Sequence, residues 1–165
     1  MAWDDEITEI EWVTPEKWNE IVTRVKNFVA GSKCYALQVM AANLGTVADN
    51  ATYYFGALSG LAPQTTAGRA PLPIPLTGTI KRAQVIWRAG TAGSNENISV
   101  YIRVNNSTDY LIQTVGSTAA VKQFTNPSMA VPVNAGDTIE IKIVCPSWST
   151  NPATLALGGV MYIDA

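Results

Sequence analysis

The chain contains no histidine. That removes the side chain that titrates nearest neutral pH, the commonest general base and a frequent zinc ligand. Charge is scarce too: Asp, Glu, Lys and Arg make up 15% of the 165 residues, against about 25% in ordinary globular domains. The net charge is −2 and no basic patch stands out, so nucleic-acid binding has no footing. Cysteine is limited to Cys34 and Cys145, far apart and without a CxxC spacing. Two such thiols make neither a disulfide scaffold nor a metal site; the expectation is two buried, unpaired strand cysteines. No apolar run is long enough to span a bilayer, so membrane insertion is not expected. The opening Met1-Ala2-Trp3-Asp4-Asp5-Glu6 is acidic and lacks the apolar segment of a signal peptide.

What is present is apolar and patterned. Hydrophobic residues reach 47%, enough to exclude disorder and to build one real core. Thr14 suits an N-cap, Pro15 the first helical position and Glu16 the positive end of the helix dipole. Trp18, Ile21, Val25 and Phe28 then recur at 3-4-3 spacing, and Gly31 offers a stop. This predicts one amphipathic helix of about four turns, too short for a free coiled coil. Its apolar face has to pack on its own domain, on copies of itself or on a larger particle.

After Gly31 the period changes to two. Strands are predicted at Cys34–Ala41, Ala51–Leu58, Ile80–Arg88, Ile98–Asn105, Asp109–Val115, Val121–Phe124, Met129–Val133, Thr138–Val144 and Leu155–Ile163. In the eighth of these, Ile139, Ile141 and Ile143 share one face, and Glu140 and Lys142 the solvated other. Asn134-Ala135-Gly136-Asp137 supplies the turn before it, and Gly158-Gly159 permits close backbone approach in the last strand. Pro63, Pro71, Pro73 and Pro75 exclude a central strand between them and predict an extended arm or surface connection. The reading is a mainly β protein: an antiparallel β-sandwich of jelly-roll type over residues 32–165, preceded by a helical segment over 1–31.

No catalytic constellation emerges. Cys34 has no histidine partner, and Asp137 and Glu140 read as a turn acid and a polar-face acid. No calcium loop or phosphate-cradling glycine loop is visible. The sequence therefore predicts no enzyme, no metal and no cofactor. One loop carries recognition chemistry: Trp148 lies beside Ser149, Thr150 and Asn151, where a ring face could stack on a sugar and its neighbours bond sugar hydroxyls. The other reading is that Trp148 plugs the end of the sandwich or a subunit seam. Tyr53 and Phe55 open a strand that could face such a seam, and Trp87 reads as buried.

Several runs carry a likeness to a known family: Thr-Tyr-Tyr-Phe-Gly at 52–56, Thr-Gly-Thr-Ile at 77–80, Gly-Ser-Asn-Glu-Asn-Ile-Ser-Val-Tyr-Ile-Arg-Val-Asn at 93–105, Ala-Gly-Asp-Thr-Ile-Glu-Ile-Lys at 135–142, Pro-Ser-Trp-Ser-Thr-Asn-Pro at 146–152 and Gly-Gly-Val-Met-Tyr-Ile at 158–163. Over residues 50–165 the chain resembles small phage virion proteins: tail-fibre tips, receptor-binding heads and head fibres. Their heads are similar to the trimeric jelly rolls of tumour-necrosis factor and the complement globular heads. The resemblance implies a homotrimer in the virion with an adhesive or structural role, made in the host cytoplasm without a signal peptide. It implies a host-surface glycan or protein as partner at the Trp148–Asn151 loop. The helical segment would be a stalk or an anchor to another virion protein, with Trp18, Ile21, Val25, Phe28, Tyr53 and Phe55 as interface residues. Two alternatives remain: a capsid or baseplate decoration protein without a receptor, and a carbohydrate-binding module.

Overall fold

The computed structural model describes residues 14–29, 34–56, 63–93, 97–116 and 120–165. The chain divides into two compact units, residues 1–33 and 34–165. In the first, helix α1 spans Pro15–Val29. Thr14 caps it: its Oγ1 accepts from the Lys17 N–H at 3.3 Å, and its carbonyl accepts from the Trp18 N–H at 2.9 Å. Glu20 and Arg24 pair one turn apart on the exposed surface. Gly31, the expected stop, lies outside the described residues.

Among the described residues the second unit has ten strands: β1 (Cys34–Thr46), β2 (Thr52–Phe55), β3 (Leu72–Pro73), β4 (Gly78–Arg88), β5 (Asn97–Val104), β6 (Thr108–Gly116), β7 (Val121–Asn126), β8 (Val131–Val133), β9 (Thr138–Val144) and β10 (Ala153–Asp164). They form two antiparallel sheets. The first runs β1-β10-β4-β7 with β8 beside β4, and the second runs β2-β9-β5-β6 with β3 beside β9. Six of the nine steps between successive strands cross from one sheet to the other, which makes the sandwich a jelly roll.

Alternation decides which side chains meet inside. Val85 and Trp87 of β4, Leu155, Met161 and Ile163 of β10, and Phe124 of β7 face Phe55, Ile98, Val100, Ile102, Ile139, Ile141 and Ile143 of the second sheet. All are at most 2% exposed. The turns follow the residues that favour them. Asn105 and Asn106 take positive φ of 48° and 53° in the β5–β6 hairpin, the geometry Asn tolerates. Gly136 takes φ of 92° before β9, and the Asp137 carboxylate accepts from the Asn134 N–H at 2.7 Å.

The proline-rich stretch is more than a connection. Gln64 exchanges backbone hydrogen bonds with Tyr54 at 2.7 and 2.8 Å, and Leu72 and Pro73 then pair with Ile139 and Thr138. Between these two points the chain passes over Glu140, whose carboxylate accepts from the Gly68 N–H at 2.9 Å and the Ala70 N–H at 3.0 Å. Glu140 does lie on the strand face opposite Ile139 and Ile141, but it is only 3% exposed. The expectation of a solvated acid is therefore corrected: the arm covers that face and the carboxylate holds the arm. Proline still obeys its constraint, because β3 is a two-residue edge strand.

Candidate functional site

Cys34 pairs with Asp164, so the start of β1 and the end of β10 lie together at one end of the sandwich. The opposite end carries the β1–β2, β4–β5 and β9–β10 connections, since Thr46 pairs with Ala153 and Thr52 with Val144 there. The Cys145–Pro152 loop sits at this end. Asp49 organises it: one carboxylate oxygen accepts from the Trp148 N–H and from the Asn151 side-chain amide, both at 3.0 Å. The same amide donates to the Val47 carbonyl at 2.8 Å, and the Asn50 N–H donates to the Pro146 carbonyl at 2.9 Å.

This bracing decides which predicted residues are available. Ser149 and Thr150 are exposed at the loop crest, and Asn151 is half-buried with its amide committed inward. Trp148 does not present a ring face to solvent. It is 6% exposed and packs against Trp87, ring centroids 6.4 Å apart at 43°. Its indole N–H has no hydrogen-bond partner among the described residues. A stacking role for Trp148 gives way to a plug at the end of the core, the other reading of the sequence.

The predicted interface residues divide as well. Tyr53 and Phe55 belong to the domain's own core at 6% and 0% exposure, which corrects their assignment to a seam. The Tyr53 hydroxyl is held by the Ala48 N–H at 3.0 Å. Trp18 and Ile21 are exposed on α1, at 59% and 46%. The side chains of Val25 and Phe28 lie outside the described residues. Cys145 is buried and its thiol is pushed up to about 12 by desolvation, so it is inert. Cys34 is exposed, contrary to expectation, and both thiols are free.

Two outer sheet faces remain. On the second sheet, Tyr54, Lys142 and Tyr101 lie side by side across three strands, with Arg103 and Asp109 beside them. Burial raises the Asp109 carboxyl, but hydrogen bonds and charge from Lys142 at 2.6 Å and Arg103 at 2.7 Å outweigh that and hold it below its usual 3.8. The cations also lie over rings, Arg103 over Tyr54 at 5.8 Å and Lys142 over Tyr101 at 5.5 Å. The network satisfies itself and reads as reinforcement of the sheet.

The outer face of the first sheet differs. Ile86, in the middle of β4, is 50% exposed, and Gln38, Gln84, Gly158, Gly159 and Val160 shape a shallow depression beside it. On the other side of Gln84 lies a second depression of about 220 Å³, lined by Arg82, Gln84, Thr125, Asn126, Pro127 and Tyr162. Sequence reasoning missed this group, because it is assembled by the pairing of β4 with both β10 and β7. The available signal was the outward set Arg82, Gln84, Ile86 and Arg88, alternating with Ala83, Val85 and Trp87. Among the described residues no cluster of three or more Cys, Asp or Glu could hold a metal ion. No described helix is long and apolar enough to cross a membrane.

No family model matches the chain, and no curated protein matches it. Solved structures do. The structure of Eiger TNF from S. frugiperda superposes with a TM-score of 0.45 at 14% identity, covering 80% of this chain and 92% of that one. A structure of the infectious bursal disease virus Gx strain gives 0.42 at 10% identity, covering 81% of this chain and 32% of that one. A family 35 carbohydrate binding module from Clostridium thermocellum gives 0.34 at 15% identity, covering 78% and 92%. The strand order, not these likenesses, makes the sandwich a jelly roll.

Proposed function

We propose that the protein is a phage virion component: a homotrimeric fibre or receptor-binding head that attaches to a host surface. The observation that carries this reading is the pairing of Cys34 with Asp164. Cys34 opens the sandwich beside its last strand, and Asp49, Ser149 and Thr150 lie at the opposite end of the same sandwich. Loops on a rigid sandwich are the usual place for recognition. The exposed Trp18 and Ile21 of α1 supply an apolar stripe for trimerisation or for an anchor on another virion protein. The sequence resemblance to phage fibre tips and heads points the same way.

A second reading, a virion decoration without a receptor, draws on one observation: the loop's best stacking residue, Trp148, is buried. Binding of the fluorescently labelled protein to intact host cells separates the two. The adhesive reading expects saturable binding that unlabelled protein competes away; no binding to the host of the encoding phage overturns it. Light scattering should give three times the chain mass of 17.7 kDa, and a monomer at micromolar concentration overturns the trimer. Antibody labelling of purified particles tests the virion location.

A further inference from the structure

We propose that the depression between β4, β10 and the β7 end is a binding site for one anionic sugar residue, with Arg82 as its charge-recognising group. The inference deepens the adhesive reading and rests on it for its biological use, but not for its chemistry. Arg82 is exposed at the rim. Its guanidinium carbon stands 5.6 Å from the centre of the Tyr162 ring, which fixes the fork against an aromatic plane. Among the described residues, the ion pairs engage Arg24, Arg103 and Lys142, and none engages Arg82. On the other sheet Arg103 and Lys142 both hold Asp109, whereas Arg82, like Arg69, Lys81, Arg88 and Lys122, is in no described ion pair. Arg82 combines a concavity, a stacked guanidinium and no described acid.

The rest of the lining suits a sugar. Gln84 contributes an amide and Thr125 a hydroxyl, both able to donate and accept towards sugar hydroxyls. Asn126 is part of the wall, its Oδ1 accepting from the Ser128 N–H at 3.1 Å, so the β7 end is held in place. Tyr162 and Pro127 offer apolar surface. A volume of about 220 Å³ falls below the roughly 300–1,000 Å³ of drug-sized pockets, which fits a single ring and not a long ligand. A planar guanidinium pairs in bidentate fashion with either a carboxylate or a phosphate, so the ligand is a sugar acid or a sugar phosphate. Three copies in a trimer would raise a weak single-site affinity through multivalency.

The test uses the full chain and defined probes: sialyllactose, a glucuronic-acid disaccharide, glucose 1-phosphate and neutral lactose, measured by chemical-shift titration and by surfaces displaying each sugar at high density. At least one anionic probe is expected to bind more tightly than lactose. Arg82→Gln should weaken that binding by about tenfold or more, the loss expected for a charge-assisted pair, while Arg82→Lys retains part of it. Preference for the carboxylated or the phosphorylated probes identifies the source of the charge. Because Arg82 is exposed, Arg82→Gln should keep the wild-type melting temperature. Equal binding by wild type and Arg82→Gln, or no binding of any anionic probe, overturns the site. Cell attachment without anionic-sugar binding overturns the groove and leaves the adhesive reading standing; sugar binding without cell attachment does the reverse.

Discussion

Replacing Glu140 by Ala tests how the arm is held. From strand alternation alone the change should be nearly neutral, about 0.5 kcal/mol or less, as for a surface site. The structure gives a different magnitude. Two backbone donors, the N–H groups of Gly68 and Ala70, end on this carboxylate, and Ala70 is 1% exposed. A hydrogen bond to a charged group contributes about 1.5–3 kcal/mol, and a buried donor left without a partner costs about 1–3 kcal/mol. These two figures overlap, since losing the acceptor is what strands the donor. The Gly68 end is solvent-exposed and water can replace the acceptor there. A net loss of about 2–4 kcal/mol follows for Glu140→Ala. Taking about 4 °C per kcal/mol, between the values for smaller and larger domains, the midpoint should fall by roughly 8–16 °C. Glu140→Gln keeps one acceptor and should lose about half as much. Chemical denaturation gives the free energy, and amide hydrogen exchange gives the location: Gly68 and Ala70 should lose protection before the Ile139–Ile143 amides do. A loss below about 0.5 kcal/mol, with both amides still protected, would refute the clamp.

Other expectations follow from particular contacts. A Cβ on Gly159 would meet Val39 Cγ2 at 3.0 Å, the Gln84 carbonyl at 3.1 Å and Val85 Cγ2 at 3.2 Å, whereas one on Gly158 would meet nothing within 4 Å; Gly159→Ala should therefore cost about 1–3 kcal/mol in denaturant and Gly158→Ala little. Trp148→Ala should lower stability by about 3–5 kcal/mol, and Trp148→Phe by less because it also removes an unpaired donor; a stable Trp148→Ala variant that loses only ligand binding would restore the stacking role. Ellman's reagent should titrate Cys34 in the folded chain and Cys145 only after denaturation, and the unreduced mass should show both thiols; rapid modification of both refutes the burial. The folded carboxyl of Asp109 lies below its usual 3.8, so the stability it contributes is present above that value and is lost as pH falls through the folded pKa. Asp109→Asn should be less stable than wild type at pH 7, and the difference should shrink as pH falls below 3.8; a difference that does not shrink with acid argues against the ion pairs with Lys142 and Arg103.

The sandwich was legible because its strands carry a two-residue period. Ile139, Ile141 and Ile143 point inward as their spacing requires, and Asn105-Asn106 and Gly136 turn where their tolerance of positive φ predicts. Alternation states which side chains share a face; it does not state what lies over that face. Glu140 shares its strand face with Lys142, yet the arm seals the first and leaves the second to pair with Asp109. That difference depends on Gly68 and Ala70, some seventy residues away in sequence. Tyr53 and Phe55 were misplaced for a related reason. An aromatic cluster opening a strand predicts burial, but not whether its own core or a neighbouring chain supplies the burial. Trp148 was ambiguous in the same way until Asp49 was seen to fasten the loop around it. The Arg82 groove stands at the far end of this scale. Its lining comes from β4, the β7 end and β10, and no contiguous stretch of the sequence contains it. The period of each strand defines the surface, while the pairing of β4 with β10 places Arg82 opposite Tyr162. A recognition site built on a sheet face is therefore read from register, and not from any contiguous stretch of sequence.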